Sequence, residues 1–117
     1  MMLAGEDLPA IHHVTEAHLQ AVFDETEADF GKFVVLAHSD SSFIQAANVW
    51  EMSEECERFF SQKKSEPYCL EYKDENSDTV YAAEGWFTLE EIREAFMQYL
   101  RGWEDWKQNN RWKKVEY

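Results

Sequence analysis

The sequence predicts an α+β fold: a single domain over residues 1–117, built on an antiparallel sheet of about four to five strands with helices packed on one face. Three observations predict it. The chain has 117 residues, 44% hydrophobic and 15% aromatic, which supplies one core and is too short for two ordinary domains. Segments with apolar residues at helical spacing alternate with pairs of short β-rich runs. The links within each pair are of hairpin length rather than the dozen or more residues of a crossover, so the paired runs are antiparallel.

Residues 1–14 read as a polar, loosely ordered lead-in. Thr15 is the N-cap expected of a helix whose apolar positions Leu19, Val22, Phe23, Thr26 and Phe30 follow helical spacing until Gly31 stops it. Phe33 to His38 and Phe43 to Trp50 read as strands joined by the turn Ser39 to Ser42, the first hairpin. Met52, Cys56, Phe59 and Phe60 give a second helix. Ser53 is its cap, Glu54 and Glu55 lie in its first turn, and Lys63 and Lys64 close it, matching the helix dipole. Pro67 opens a strand to Lys73, the polar loop Asp74 to Asp78 follows, and Thr79 to Glu84 is the return strand. Thr88 and Glu91 form a capping box with Phe87 and Ile92 as a hydrophobic staple. Ile92, Ala95, Phe96, Tyr99 and Leu100 are that helix's buried stripe, and Gly102 with Trp103 behind it ends it in a left-handed turn. Trp112 to Tyr117 reads as a final edge strand.

Lys plus Arg number 11 and Asp plus Glu 24, a net charge of −13. That sign opposes phosphate and anionic lipid, so direct nucleic-acid and membrane binding are not expected. The surplus is uneven. Residues 1–60 hold twelve acids against Lys32 and Arg58 alone, whereas residues 61–117 hold twelve acids against nine bases. Such a field speeds encounter with a basic protein; an acidic surface also serves solubility alone. The longest apolar run, Phe33 to Ala37, is far short of the roughly 20 residues that span a bilayer. Glu6 and Asp7 stand where a secretory signal needs a basic start and an apolar stretch, so a cytoplasmic protein is expected. Two Cys exclude a disulfide scaffold and a four-cysteine zinc site; reduced thiols are the simpler reading, and whether Cys56 and Cys69 pair stays open.

No catalytic set, cofactor or metal site is predicted. His12, His13, His18 and His38 match no zinc-binding spacing. Asp74 to Asp78 imitates the start of a calcium loop, but Thr79 stands where the sharp turn needs Gly, and Gly85 where a bidentate Glu is needed. Four Gly provide no phosphate-cradling loop, and Cys56 and Cys69 read as small core residues. Partner binding is the better-supported chemistry. Asp24, Glu25, Glu27 and Asp29 crowd the end of the predicted first helix, where the dipole disfavours anions; if that helix stops near Phe23 they line a solvated loop instead. Glu51, Glu54, Glu55 and Glu57 form a second acidic set. Trp50, Trp86 and Trp112 read as core, whereas Trp103 and Trp106 flank two acids and suit an Arg- or Lys-rich partner, unless both close the core over the last helix.

The segments F-I-Q (Phe43 to Gln45), L-E-Y (Leu70 to Tyr72), T-L-E-E-I-R-E-A-F-M-Q-Y-L-R-G (Thr88 to Gly102) and R-W-K-K-V-E (Arg111 to Glu116) resemble the small bacterial immunity proteins of polymorphic toxin systems, Imm1 type. The resemblance covers the layout of residues 33–116 and leaves out 1–32. It implies a small α+β protein that binds and neutralises a cognate toxin domain, of nuclease or deaminase class, with no catalytic residue or cofactor. Its matching positions are Glu71, Tyr72 and Trp112. The expected partner is thus a basic protein, a cognate toxin domain, occluded by an acidic surface; monomer and homodimer both stay open. An acidic adaptor with a non-toxin partner and a small enzyme of unrecognised type are the rival readings.

Overall fold

The computed structural model describes residues 1–24, 31–39, 41–49, 54–61 and 67–115. Among these residues the strands are β1 (Met2–Gly5), β2 (Leu8–His12), β3 (Phe33–Ser39), β4 (Ser42–Asn48), β5 (Tyr68–Lys73), β6 (Tyr81–Ala83) and β7 (Trp112–Lys114). The helices are α1 (Glu16–Val22), α2 (Glu54–Ser61), α3 (Leu89–Arg101) and α4 (Asp105–Gln108). All seven strands form one antiparallel sheet in the order β2-β1-β3-β4-β5-β6-β7.

The sheet is therefore wider than the expected four to five strands, and the extra pair comes from the segment read as a loose lead-in. Residues 2–12 make a hairpin that adds to β3, with Leu3 opposite Leu36 and Ala4 opposite Val35. Pro9 obscured it, since proline argues against a strand; it is tolerated because β2 lies at the sheet's edge.

Register divides the side chains into two faces. On the inner face Leu3, Leu36, Ile44 and Tyr72 stand in one row across β1, β3, β4 and β5, all buried. Val34, Ala46 and Leu70 form the next row and are likewise buried. The outer face carries Met2–Ala37–Phe43–Lys73 in one row and Phe33–Ala47–Cys69 in another. Between them runs the row from Ala4 and Val35 through Gln45 and Glu71 to Ala82 and Lys113.

α3 closes the inner face. Its stripe Ile92, Ala95 and Phe96 is buried, and each fully buried large side chain contributes about 1.5–3 kcal/mol. Both ends are held as expected. Glu91 N–H donates to Thr88 Oγ1 at 3.2 Å while Thr88 N–H donates to Glu91 Oε1 at 3.0 Å. Gly102 takes φ +78°, its N–H reaches the Tyr99 carbonyl at 3.1 Å, and the Trp103 N–H reaches that of Gln98 at 2.8 Å, a Schellman termination. α1 lies against α3 through Phe23 and Phe96, whose rings meet edge to face at 5.1 Å, and through the Arg101–Glu16 ion pair.

α1 is shorter than the periodicity implies. It starts at the Thr15 cap, in a box where His18 takes the place usual for Glu or Gln, and ends at Val22 with Phe23 as C-cap. Asp24 directly follows the C-cap, while Glu25, Thr26, Glu27, Asp29 and Phe30 lie outside the described residues. In α2 only the Cys56 side chain is buried among those described; Met52, Ser53, Lys63 and Lys64 and the side chains of Phe59 and Phe60 are outside that set. No helix among the described residues is long and apolar enough to cross a membrane.

Thr88→Ala removes the acceptor for the Glu91 N–H, and we expect a loss of about 1 kcal/mol in denaturant unfolding with an unchanged slope. Thr88→Ser keeps the acceptor and should retain most of that stability.

Candidate functional site

β5, β6, β7, α3 and α4 bring five aromatic residues together at one end of the inner face. Tyr72 stacks on Tyr81 at 5.5 Å and meets the edges of Trp106 at 5.2 Å and Trp112 at 4.6 Å. Trp106 and Trp112 contact each other at 5.8 Å, and Tyr99 of α3 leans on Trp106 at 5.9 Å. The indole N–H groups are satisfied by backbone. Trp106 Nε1 donates to the Trp103 carbonyl at 2.9 Å and Trp112 Nε1 to that of Lys107 at 2.7 Å. Trp106 is therefore an interior residue that fastens α4, and only Trp103, 52% exposed with the Arg101 guanidinium 5.1 Å from its ring centroid, has the placement of an anchor.

Lys107 caps this cluster. Its Nζ lies 5.0 Å from the Tyr72 ring centroid and 2.7 Å from Asp74 Oδ2, so the acid that begins the calcium-loop imitation is committed to a lysine. Desolvation pulls the Lys107 pKa down, but the hydrogen bond and charge of Asp74 outweigh it and the ammonium is held above its ordinary value. Burial pushes the Tyr72 phenol up, and likewise that of Tyr99, whose hydroxyl pairs with Ser42 Oγ at 3.1 Å.

The positions carried by the resemblance divide. Tyr72 is buried in the aromatic cluster and Trp112 is half-buried beside it. Glu71 faces outward, half-buried, accepting from Gln45 Nε2 at 3.3 Å.

The predicted acids are not gathered into one patch. Asp24 is exposed at the exit of α1. The Arg101–Glu16 pair sets the start of α1 beside the end of α3, so Trp103 and Asp24 lie at opposite ends of a helix about 10 Å long. Glu54, Glu55 and Glu57 are exposed on α2, which belongs to the other side of the sheet. The mark of that side is Cys56: fully buried, yet outside the contiguous core, and near enough to outward-facing Cys69 to raise its pKa. Glu25, Glu27, Asp29 and Glu51 lie outside the described residues.

Cys69 is exposed rather than a core residue, and Trp86 is 38% exposed rather than buried; Trp50 lies outside the described residues. Desolvation raises both thiols, with Glu71 adding to the effect at Cys69, so neither has the lowered pKa of a nucleophile. No group of three or more His, Cys, Asp or Glu suited to a metal ion occurs among the described residues.

Sequence reasoning missed the outward apolar side chains Met2, Phe33 and Trp86, exposed by 37–44%. A signal was present. Phe33 to Ala37 is apolar at every position, where a strand with one wetted face would alternate. Comparison with family models, curated proteins and solved structures finds no match for this chain, so the geometry is its own guide.

Lys107, Tyr72 and Tyr99 all have folded pKa values above their unfolded ones. Their contribution is fully present below the unfolded values, near pH 10, and is lost as pH rises through the folded ones. Resistance to urea unfolding should thus fall from about pH 10 upward. In Asp74→Asn, Lys107 loses the hydrogen bond and charge that outweigh its desolvation and keeps only the weaker pull of Tyr72 and Glu104, so stability should fall at pH 7 by about 1 kcal/mol or less for this part-exposed pair, with a smaller further loss at high pH.

Proposed function

We propose that this chain is a toxin-neutralising immunity protein that binds a cognate basic toxin domain, of nuclease or deaminase class, and blocks its working cleft. The observation that carries the reading is the acidic surplus: a net charge of −13 on a molecule whose described interior contains no buried charged side chain, so the charge is displayed outward. A long-range negative field steers a basic surface into encounter, and proteins that cut or modify nucleic acid need basic surfaces for their own substrate. Both thiols are raised by burial, away from the thiolate that a cysteine nucleophile uses. The resemblance of Phe43 to Gln45, Leu70 to Tyr72, Thr88 to Gly102 and Arg111 to Glu116 to immunity proteins supports the same reading.

The test is growth rescue, with the chain co-expressed beside a candidate toxin domain taken from the neighbourhood of its gene. Rescue with a stable complex is the expected result; binding without protection would favour an adaptor, and a toxic neighbour left unrescued would sink the proposal. Neutralising Asp24, Glu25, Glu27 and Asp29 together should slow association roughly tenfold at low salt and much less at high salt. An unchanged on-rate removes that segment from the interface.

A further inference from the structure

We propose that the edge of the sheet where β1 begins and β2 ends carries a site for a soft monovalent metal ion, Cu(I) in kind, held by the Met1 and Met2 thioethers and the His12 and His13 imidazoles. The inference goes beyond the immunity reading and needs no protein partner.

The four residues meet because of how the first hairpin closes. β1 and β2 pair with Met2 opposite His12, so these two side chains stand on the same face of the sheet within reach of each other. That register, continued, would put Met1 opposite His13. Instead the Val14 N–H donates to the Met1 carbonyl at 3.4 Å, so the chain takes one residue more on the β2 side than on the β1 side. His13 is that residue, and at φ +57° it alone among the described non-glycine residues has a positive φ. Gly holds this conformation without strain, whereas a side chain there costs free energy, and residues kept at such a cost gather at functional sites. A bulge of this kind also breaks the alternation of the strand and re-aims the side chain it carries. Met1, Met2, His12 and His13 all border one cleft of about 520 Å³. His38 borders it too, but its ring leans on Tyr99 with centroids 5.8 Å apart, so it is not counted among the donors.

The donor set selects the ion. No three His, Cys, Asp or Glu suited to a metal come together among the described residues, so the imidazoles do not make a site unaided and the thioethers complete it. The described lining of the cleft holds neither carboxylate nor thiolate; Asp40, beside Ser39, lies outside the described residues. Calcium and magnesium take oxygen ligands, and structural zinc favours thiolate with imidazole. Uncharged thioether sulfur beside imidazole suits Cu(I). Such ligands leave the charge of the ion uncompensated, and the net charge of −13 on the chain favours a cation at long range. The lysine of this row, Lys73, stands three strands from Met2, about 14 Å away, with its Nζ on the Ser41 carbonyl at 2.7 Å. α2 approaches the sheet near Cys69, in the row of Phe33 and Ala47; four residues of β3, about 13 Å, separate that row from the row of Met2 and Ala37.

The experiment offers Cu(I), kept reduced with ascorbate and supplied as its bicinchoninate complex, to the full chain carrying Cys69→Ser, which removes the exposed thiol that would compete for it. Withdrawal of one equivalent is expected. The methyl signals of Met1 and Met2 and the ring signals of His12 and His13 should shift in nuclear magnetic resonance spectra, while the signal of Met97, buried in the core, stays. The filled site ties the start of β1 to the end of β2, so the melting temperature should rise with Cu(I). Met2→Leu and His13→Gly, each added to Cys69→Ser, should lower the affinity at least about tenfold. Met2 is 37% exposed and Gly suits φ +57°, so both should keep the fold, which circular dichroism checks. No withdrawal of Cu(I), or an affinity undiminished in either variant, overturns the proposal. Zn(II) bound as tightly as Cu(I), and lost in His13→Gly but not in Met2→Leu, would assign the cleft to imidazole alone and overturns it as well.

Discussion

The packing of the buried stripe of α3 on β4 and β5 is the contact on which the rest of the architecture depends. α1 reaches the body of the protein by laying Phe23 on Phe96 and Glu16 on Arg101, both residues of α3. α4 is tied to the end of α3 by the Trp106 ring against Tyr99 and by its indole bond to the Trp103 carbonyl just past the Schellman turn. Neither α1, at seven residues, nor α4, at four, is long enough to be stable alone. Their placement therefore follows from where α3 begins and ends, which explains why α3 has strong signals at both ends, a reciprocal cap at Thr88 and a left-handed glycine at 102. A shift of one residue in either terminus would rotate the stripe by about 100° and move Phe96 away from Phe23.

That dependence also explains which parts of the structure were legible in the sequence. Everything about α3 could be read, because its caps, staple and stripe are local and agree with one another. The hairpins of β3 with β4 and of β5 with β6 could be read for the same reason. The β1–β2 hairpin could not, since its strands are short, Pro9 opposes the assignment, and its stability comes from pairing with β3, a partner some thirty residues away. α1 was overextended because Thr26 and Phe30 continue the helical period on paper, while the chain leaves the helix once Phe23 has reached α3. Period alone cannot say when the neighbouring surface runs out.

The candidate site was less legible than the fold. Counting acids identified a charged surface correctly, but Asp24, Glu54 and Trp103 are brought to separate places, and nothing in their sequence positions says so. The two tryptophans flanking Glu104 and Asp105 show the difficulty: three residues apart, one is exposed and the other is interior, because a single turn of helix puts Trp106 under Tyr99 and beside Tyr72. The outer face was hidden for a different reason. An unbroken apolar run such as Phe33 to Ala37 is normally read as a fully covered strand, whereas Phe33 is 44% exposed on the side where α2 lies.

Charge and apolar surface together constrain what such a molecule can do. An exposed apolar face on a neutral protein invites association with copies of itself. A net charge of −13 opposes that association at long range. The field acts before contact and discriminates by sign; the apolar centre acts after contact, when water leaves, and governs how long a complex lasts. Neither term suffices alone, since exposed charge pairs contribute little once screened by salt, and a few hundred Å² of apolar surface does not select a partner. Where the two act on one face, the field speeds encounter and the apolar centre slows release.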